Sequence, residues 1–119
     1  MEINQGDLFW VDLPEPTDAE PGYRRPCVVI QNNLFNHSRI RTTVVCLLTT
    51  NLKRAQSPAN VLLRAGEAGL SKQSIVNLSQ LYTVSKLNLS EKIGTLSKHR
   101  LQEVLDGLWL LTAPHEIDE

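Results

Sequence analysis

Two short runs constrain the fold of this chain more than anything else in it. Cys27-Val28-Val29-Ile30 and Val44-Val45-Cys46-Leu47-Leu48 contain no polar side chain. A half-exposed strand alternates apolar and polar residues. A short unbroken apolar run, rich in β-branched residues and bounded by turn chemistry, reads instead as a strand covered on both faces. The strands that hold these runs are expected over Arg25–Asn32 and Thr42–Thr50.

The flanking segments supply further strands. Asp7 to Leu13 is one, with Leu8, Phe9 or Trp10, Val11 and Leu13 available to a core, and Pro14 and Pro16 end it. Asn60 to Arg64 is another, followed by a turn region at Gly66 and Gly69. Ser74 to Tyr82 carries one or two short strands, and Ile93 to Leu96 adds one more. Asn32 to Ser38 is a polar connection, and Leu52 to Pro58 is a basic loop. Pro14 to Tyr23 forms a loop of about ten residues, longer than most connections, and such loops are commonly functional.

The tail changes period. Leu101, Val104, Leu105, Leu108 and Leu111 recur at helical spacing, which predicts one apolar face over about four turns. Ser97 is placed to cap the helix, Leu96 to pack on Leu101 as a hydrophobic staple, and Pro114 to stop it. Trp109 lies off the centre of that face and is expected to border the core or, as the second choice, a partner surface. The class is therefore mainly β with one helix (α+β): a small, strongly bent antiparallel barrel with a C-terminal α-helix across one side.

With 119 residues the chain is expected to form a single domain, 1–119, large enough to need no disulfide framework. Cys27 and Cys46 sit inside strand-like runs and are expected as buried, reduced thiols. No Cys/His cluster has zinc-ligand spacing, so neither a metal nor another cofactor is expected. The longest apolar run is too short for a bilayer and the N-terminus lacks signal-peptide character, which gives a cytoplasmic expectation and no membrane partner.

The net charge of −1 conceals a strong segregation. Residues 1–20 carry Glu2, Asp7, Asp12, Glu15, Asp18 and Glu20 and no Lys or Arg. Residues 21–66 carry Arg24, Arg25, Arg39, Arg41, Lys53, Arg54 and Arg64 and no carboxylate. Residues His115 to Glu119 form an acidic tail. The central segment is either an anion-binding surface or a set of strand ends balanced in space by the acidic stretch.

Most familiar catalytic patterns are absent. His37, His99 and His115 fall in a loop, a first helical turn and the tail, which does not suggest a two-histidine ribonuclease dyad. There is no Gly-x-Ser-x-Gly elbow, no Gly-rich phosphate loop and no HExxH helix. Arg24-Arg25-Pro26 is more informative. Proline confines the residue before it to extended geometry, so Arg25 is held at the mouth of a strand. Its planar fork suits a phosphate, or equally a loop carboxylate such as Glu20. Thr49-Thr50-Asn51 closes the third strand with small hydrogen-bonding groups that can orient a phosphate or a base edge, or simply make a turn.

These segments, in order and at compact spacing, resemble the MazF/PemK family of type II toxin–antitoxin endoribonucleases. Gly6-Asp7-Leu8-Phe9-Trp10-Val11-Asp12-Leu13 is similar to the family's opening strand. Glu20-Pro21-Gly22-Tyr23-Arg24-Arg25-Pro26 leading into Cys27–Asn32 resembles its second strand and preceding loop. Val44–Thr49 resembles a third strand ending in a functional Thr, and Ser79-Gln80-Leu81-Tyr82-Thr83-Val84 a late segment.

The resemblance implies an SH3-like barrel, a homodimer, and metal-free cleavage of single-stranded RNA, mRNA included, at short sequence motifs. It implies catalytic roles for Arg25 and Thr49, with 2′-hydroxyl attack giving 2′,3′-cyclic phosphate and 5′-hydroxyl ends. Arg24, Lys53 and Arg54 are then expected to track phosphates. Glu20, Thr50, Asn51, Ser79 and Gln80 are expected to meet the RNA through polar contacts, and Tyr23 to stack on a base. A cognate antitoxin with an acidic, disordered segment is implied as partner, with any DNA contact made only through that complex. The alternative is a CcdB-like toxin, which shares the barrel but binds DNA gyrase without cleaving anything.

Overall fold

The computed structural model describes residues 1–13 and 23–115. Residues 14–22, which include Glu20 and Gly22 of the acidic loop, and residues 116–119 of the acidic tail lie outside the described residues.

Among the described residues six strands form one antiparallel sheet: β1 (Asp7–Asp12), β2 (Arg24–Val29), β3 (Thr42–Thr49), β4 (Val61–Leu63), β5 (Ser74–Ser85) and β6 (Leu89–Thr95). Their order across the sheet is β4-β5-β3-β2-β1-β6. A one-turn helix, α1 (Asn33–Asn36), follows β2, and α2 (Lys98–Thr112) follows β6. The expected mainly-β architecture, a curled antiparallel half-barrel with one C-terminal helix, is the architecture observed.

The two apolar runs lie side by side at the centre, with Val28 opposite Cys46 and Val29 opposite Val45. Their alternate residues feed separate cores. Leu8, Val28, Cys46, Leu48, Leu78 and Val104 pack on one face. Phe9, Val11, Cys27, Val29, Val45 and Leu47 pack on the other. Each such buried side chain stabilises the fold by roughly 1.5–3 kcal/mol, so a polar residue on either face would cost stability. Both cysteines are free and buried, as expected, and burial pushes each thiol up to about 12.

Three departures from the sequence expectation have physical causes. First, β5 is one continuous 12-residue strand that runs on to Ser85. Its pairing with β3 steps from Cys46–Leu81 to Leu48–Val76, so a bulge lies between the two halves. Asn60 secures that bulge, its Oδ1 accepting from the Leu78 amide at 2.8 Å. Bulges increase local bend and twist, which helps to curl the sheet. Second, β6 starts at Leu89, well before Ile93. Its Ser90-Glu91-Lys92 stretch is exposed on an edge strand, where charge deters pairing with other chains.

Third, Trp109 does not border the core. Trp109, Leu110 and Leu111 are 68%, 59% and 46% exposed. Val104 and Gly107 are the buried residues of α2. Gly107 has no side chain to hold the helix away from Ala59 and Leu78, so this face settles on the sheet and turns the Trp109 side outward. The helix start is as expected: Ser97 Oγ accepts from the Arg100 amide at 3.1 Å, and Leu96 and Leu101 join the same core.

Candidate active site

Antiparallel pairing decides which polar residues meet. β2 begins and β3 ends at the same edge of the barrel. The register that sets Cys27 opposite Leu47 and Val29 opposite Val45, continued in the other direction, sets Arg25 opposite Thr49. Thr49 is also paired with Ile75 on β5. It therefore stands between the strand of Arg25 and the strand that follows Lys72.

Arg25 is half-buried. Its Nη2 donates to the Leu48 carbonyl at 2.9 Å, and its guanidinium carbon lies 5.7 Å from the centre of the Tyr23 ring. Among the described residues no carboxylate pairs with it. The suggested partner Glu20 lies outside the described residues. Thr49 Oγ1 accepts from the Asn51 amide at 3.1 Å, which leaves the hydroxyl hydrogen able to donate. Asn51 in turn caps the 3-10 turn Leu52–Gln56, its Oδ1 accepting from the Lys53 amide at 3.2 Å.

The facing wall is the turn between β4 and β5. Gly69 has φ +81°, and a Cβ on it would press into the backbone of Ile93 on β6. Gly94 reciprocates: a Cβ there would lie 2.6 Å from the Ala68 carbonyl carbon. Two glycines thus let the turn dock against the far edge strand and close the curl. The turn is also tied to the helix, because Arg100 Nε donates to Glu67 Oε2 at 2.6 Å. The Arg100 guanidinium beside it holds the Glu67 carboxyl below the usual carboxylate range.

Between these elements lies an open cleft of about 680 Å³. Trp10, Arg25, Pro26, Leu48, Thr49 and Thr50 line one side, and Gly69, Leu70, Ser71, Lys72, Ser74 and Ile93 complete it. The structure therefore brings Arg25, Thr49 and Thr50 together, with Tyr23 beside Arg25. Asn51, Lys53 and Arg54 follow directly on the adjoining exposed turn.

Other expected residues lie elsewhere. Arg24 is not itself among the residues lining the cleft; it stacks at 4.9 Å over Trp10, which is, and lies 3.6 Å from Glu91. That exposed ion pair stabilises little, about 0–1 kcal/mol. Ser79 and Gln80 are not among the residues lining the cleft. They sit at the β5 bulge, where Ser79 Oγ donates to Asn77 Oδ1 at 2.9 Å and Asn77 Nδ2 donates to Gln80 Oε1 at 3.2 Å. His37 and His99 face Glu2 and Glu103 on the surface. Among the described residues no His/Cys/Asp/Glu group could hold a metal ion.

Trp10, Ser71, Lys72, Ser74 and Ile93 escaped the sequence reading. Trp10 passed for an ordinary strand residue. Lys72 belongs to the charge-mixed part of the chain, and only the turn at Gly66 and Gly69 hinted that the residues beyond it were held in place.

A guanidinium fork, a free hydroxyl donor and an ammonium around an open, partly apolar cleft can hold a phosphodiester and the bases beside it. The fold and site thus define a small curled barrel with a cleft at one open edge that presents Arg25, Thr49 and Lys72. A profile of PemK-like, MazF-like toxins of type II toxin–antitoxin systems matches residues 4–111. Endoribonuclease MazF6 of Mycobacterium tuberculosis is 34% identical over 108 residues, which cover 91% of this chain and 95% of that protein. Endoribonuclease EndoA of Bacillus subtilis is 30% identical over 113 residues, covering 95% and 97%. A mycobacterial endoribonuclease solved in complex with its cognate antitoxin shares the fold, with a TM-score of 0.76 at 21% identity over 95% of this chain and 98% of that one. The chain belongs to the PemK-like, MazF-like toxin family.

Proposed function

We propose that this chain is the toxin of a type II toxin–antitoxin pair and cleaves single-stranded RNA, mRNA included, at Arg25 and Thr49. Family membership and relatives named as endoribonucleases support RNA cleavage over the gyrase-binding alternative. The observation that supports the site assignment is that Arg25 and Thr49 line one cleft, Arg25 anchored to the Leu48 carbonyl next to Thr49 and without a carboxylate partner among the described residues.

The 2′-oxygen of the RNA attacks the adjacent phosphorus and the bond from phosphorus to the 5′-oxygen breaks. The products are a 2′,3′-cyclic phosphate and a 5′-hydroxyl. Charge gathers on the non-bridging oxygens, and pre-organised donors stabilise it there. Arg25 provides a fork whose direction is fixed by its bond to Leu48 O, and Thr49 provides a hydroxyl donor. The open side of the cleft leaves room for flanking nucleotides, with Thr50, Asn51, Lys53 and Arg54 next in line.

The partner is an antitoxin whose acidic segment covers the cleft, an occupant suited to Arg25, Lys53, Arg54 and Lys72. The active species is a homodimer, a reading supported by the exposed Trp109, Leu110 and Leu111. Sedimentation of the parent and Trp109→Ser proteins checks that assignment. Incubation of the purified protein with a long single-stranded RNA in EDTA tests the activity. Discrete fragments with 5′-hydroxyl ends are expected; intact RNA beside a folded protein refutes the reading.

A further inference from the structure

Breaking the bond to the 5′-oxygen leaves an alkoxide that needs a proton. The guanidinium of Arg25 is a poor source, because arginine keeps its charge under all ordinary conditions. The hydroxyls of Thr49, Thr50, Ser71 and Ser74 are hardly more acidic than the alcohol being released. Among the described residues that line the cleft, the remaining titratable side chain is Lys72.

Its placement suits the task. Lys72 stands on the turn leading into β5, which flanks β3 on the side away from β2, and it lines the cleft that Arg25 enters from β2. An in-line displacement puts the leaving oxygen at an apex of the phosphorus, off the plane of the non-bridging oxygens, so its acid approaches from a different direction from the donors that stabilise those oxygens. The backbone of Lys72 is held: its carbonyl accepts from Ser74 Oγ at 2.9 Å, and the turn preceding it is docked on β6. Its ammonium is also uncommitted. Lys92, Arg24 and Arg100 each face a carboxylate, whereas no such partner engages Lys72 among the described residues.

We propose that Lys72 is the general acid of RNA cleavage, donating a proton from Nζ to the 5′-oxygen as its bond to phosphorus breaks. The proton of the 2′-hydroxyl passes to solvent water or hydroxide, and solvent reprotonates the resulting amine. The step consumes no water and changes no oxidation state. This role rests on the endoribonuclease reading above.

The test uses two RNA oligonucleotides of one sequence, one ordinary and one with sulfur in place of the 5′-bridging oxygen at the cleaved linkage. A thiolate leaves without protonation. Lys72→Met is expected to slow cleavage of the ordinary linkage by about 10²–10⁴-fold, the usual scale of general acid catalysis. It should cut the sulfur-bridged linkage at nearly the parental rate. Lys72→Arg, which keeps the charge but not the acidity, should match Lys72→Met on the ordinary linkage. Lys98→Met, the same loss of charge at the start of α2, should leave both rates unchanged. An equal defect of Lys72→Met on both substrates, or full activity of Lys72→Arg, overturns the assignment. Failure of the parent protein to cut either oligonucleotide would instead refute the endoribonuclease reading itself.

Discussion

A Gly94→Ala substitution adds one methyl group to β6 where the strand meets the turn at Glu67–Gly69. The new Cβ would lie 2.6 Å from the Ala68 carbonyl carbon and closer still to its oxygen, whereas ordinary contact begins near 3.4 Å. The turn must therefore retreat by close to 1 Å. Overpacking of this kind costs about 1–3 kcal/mol. Displacing catalytic groups by about 1 Å costs on the order of 10²-fold in rate, and the displaced segment leads directly to Ser71 and Lys72. Gly66→Ala is the matched comparison. Gly66 has φ +85° with nothing within 4 Å of the added methyl, so it carries backbone strain of about 1–2 kcal/mol without a collision. Urea unfolding should find both variants destabilised. Initial rates on a fluorophore-quencher RNA oligonucleotide should fall about 10²-fold in Gly94→Ala and stay at the parental value in Gly66→Ala. Parental activity in a destabilised Gly94→Ala protein would show that the position of the turn does not shape the site.

Arg25→Ala and Thr49→Ala should each lower kcat by about 10²–10³-fold, the scale for removing one charge-stabilising donor, with unchanged circular dichroism; full activity in either removes that residue from the mechanism. Because Arg100 holds the Glu67 carboxyl below its ordinary range, the stability this pair contributes is complete above that range and is lost as pH falls through the lowered value. Urea unfolding at pH 7 should find Glu67→Gln less stable by roughly 1–3 kcal/mol, with the two proteins converging as pH drops below the carboxylate range; a gap that widens there contradicts the assignment. Cys27 and Cys46, buried with thiols pushed up to about 12, should ignore a disulfide reagent at pH 8 in the native protein and both react once it is unfolded. Rapid native labelling would mean that the central strands open far more readily than their packing implies.

The strands that proved easiest to read were those with the strongest local signals. The runs at Cys27–Ile30 and Val44–Leu48 are apolar on both faces because both faces are core, and nothing about that depends on distant residues. The helix start was legible for the same reason, since Ser97 and Leu96 act within one turn. Arg25 was legible because proline fixes its backbone. That it shares a cleft with Thr49 needed the strand register, which the apolar runs imply but do not state. The far wall was hidden. Lys72 and Ile93 enter the cleft only because Gly69 and Gly94 allow two segments distant in sequence to touch, and no periodic pattern announces such a contact. Trp109 took the outward of its two expected places because helical spacing weighs side-chain hydrophobicity, whereas Gly107, with no side chain, set which face came closest to the sheet.

The strand order carries a consequence for when the protein becomes active. β6, the last of the described strands, lies beside β1, the first of them, and it also supports the turn that faces Arg25 and Thr49. A chain still emerging during synthesis can pair β2 with β3 and bring those two residues together, yet it has no second wall until Ile93 and Gly94 are in place. Domains are completed as units while synthesis proceeds from the N-terminus. The second wall of the cleft thus forms only after β6 has been made, so a nascent chain that stops short of Gly94 holds Arg25 and Thr49 without the wall that faces them.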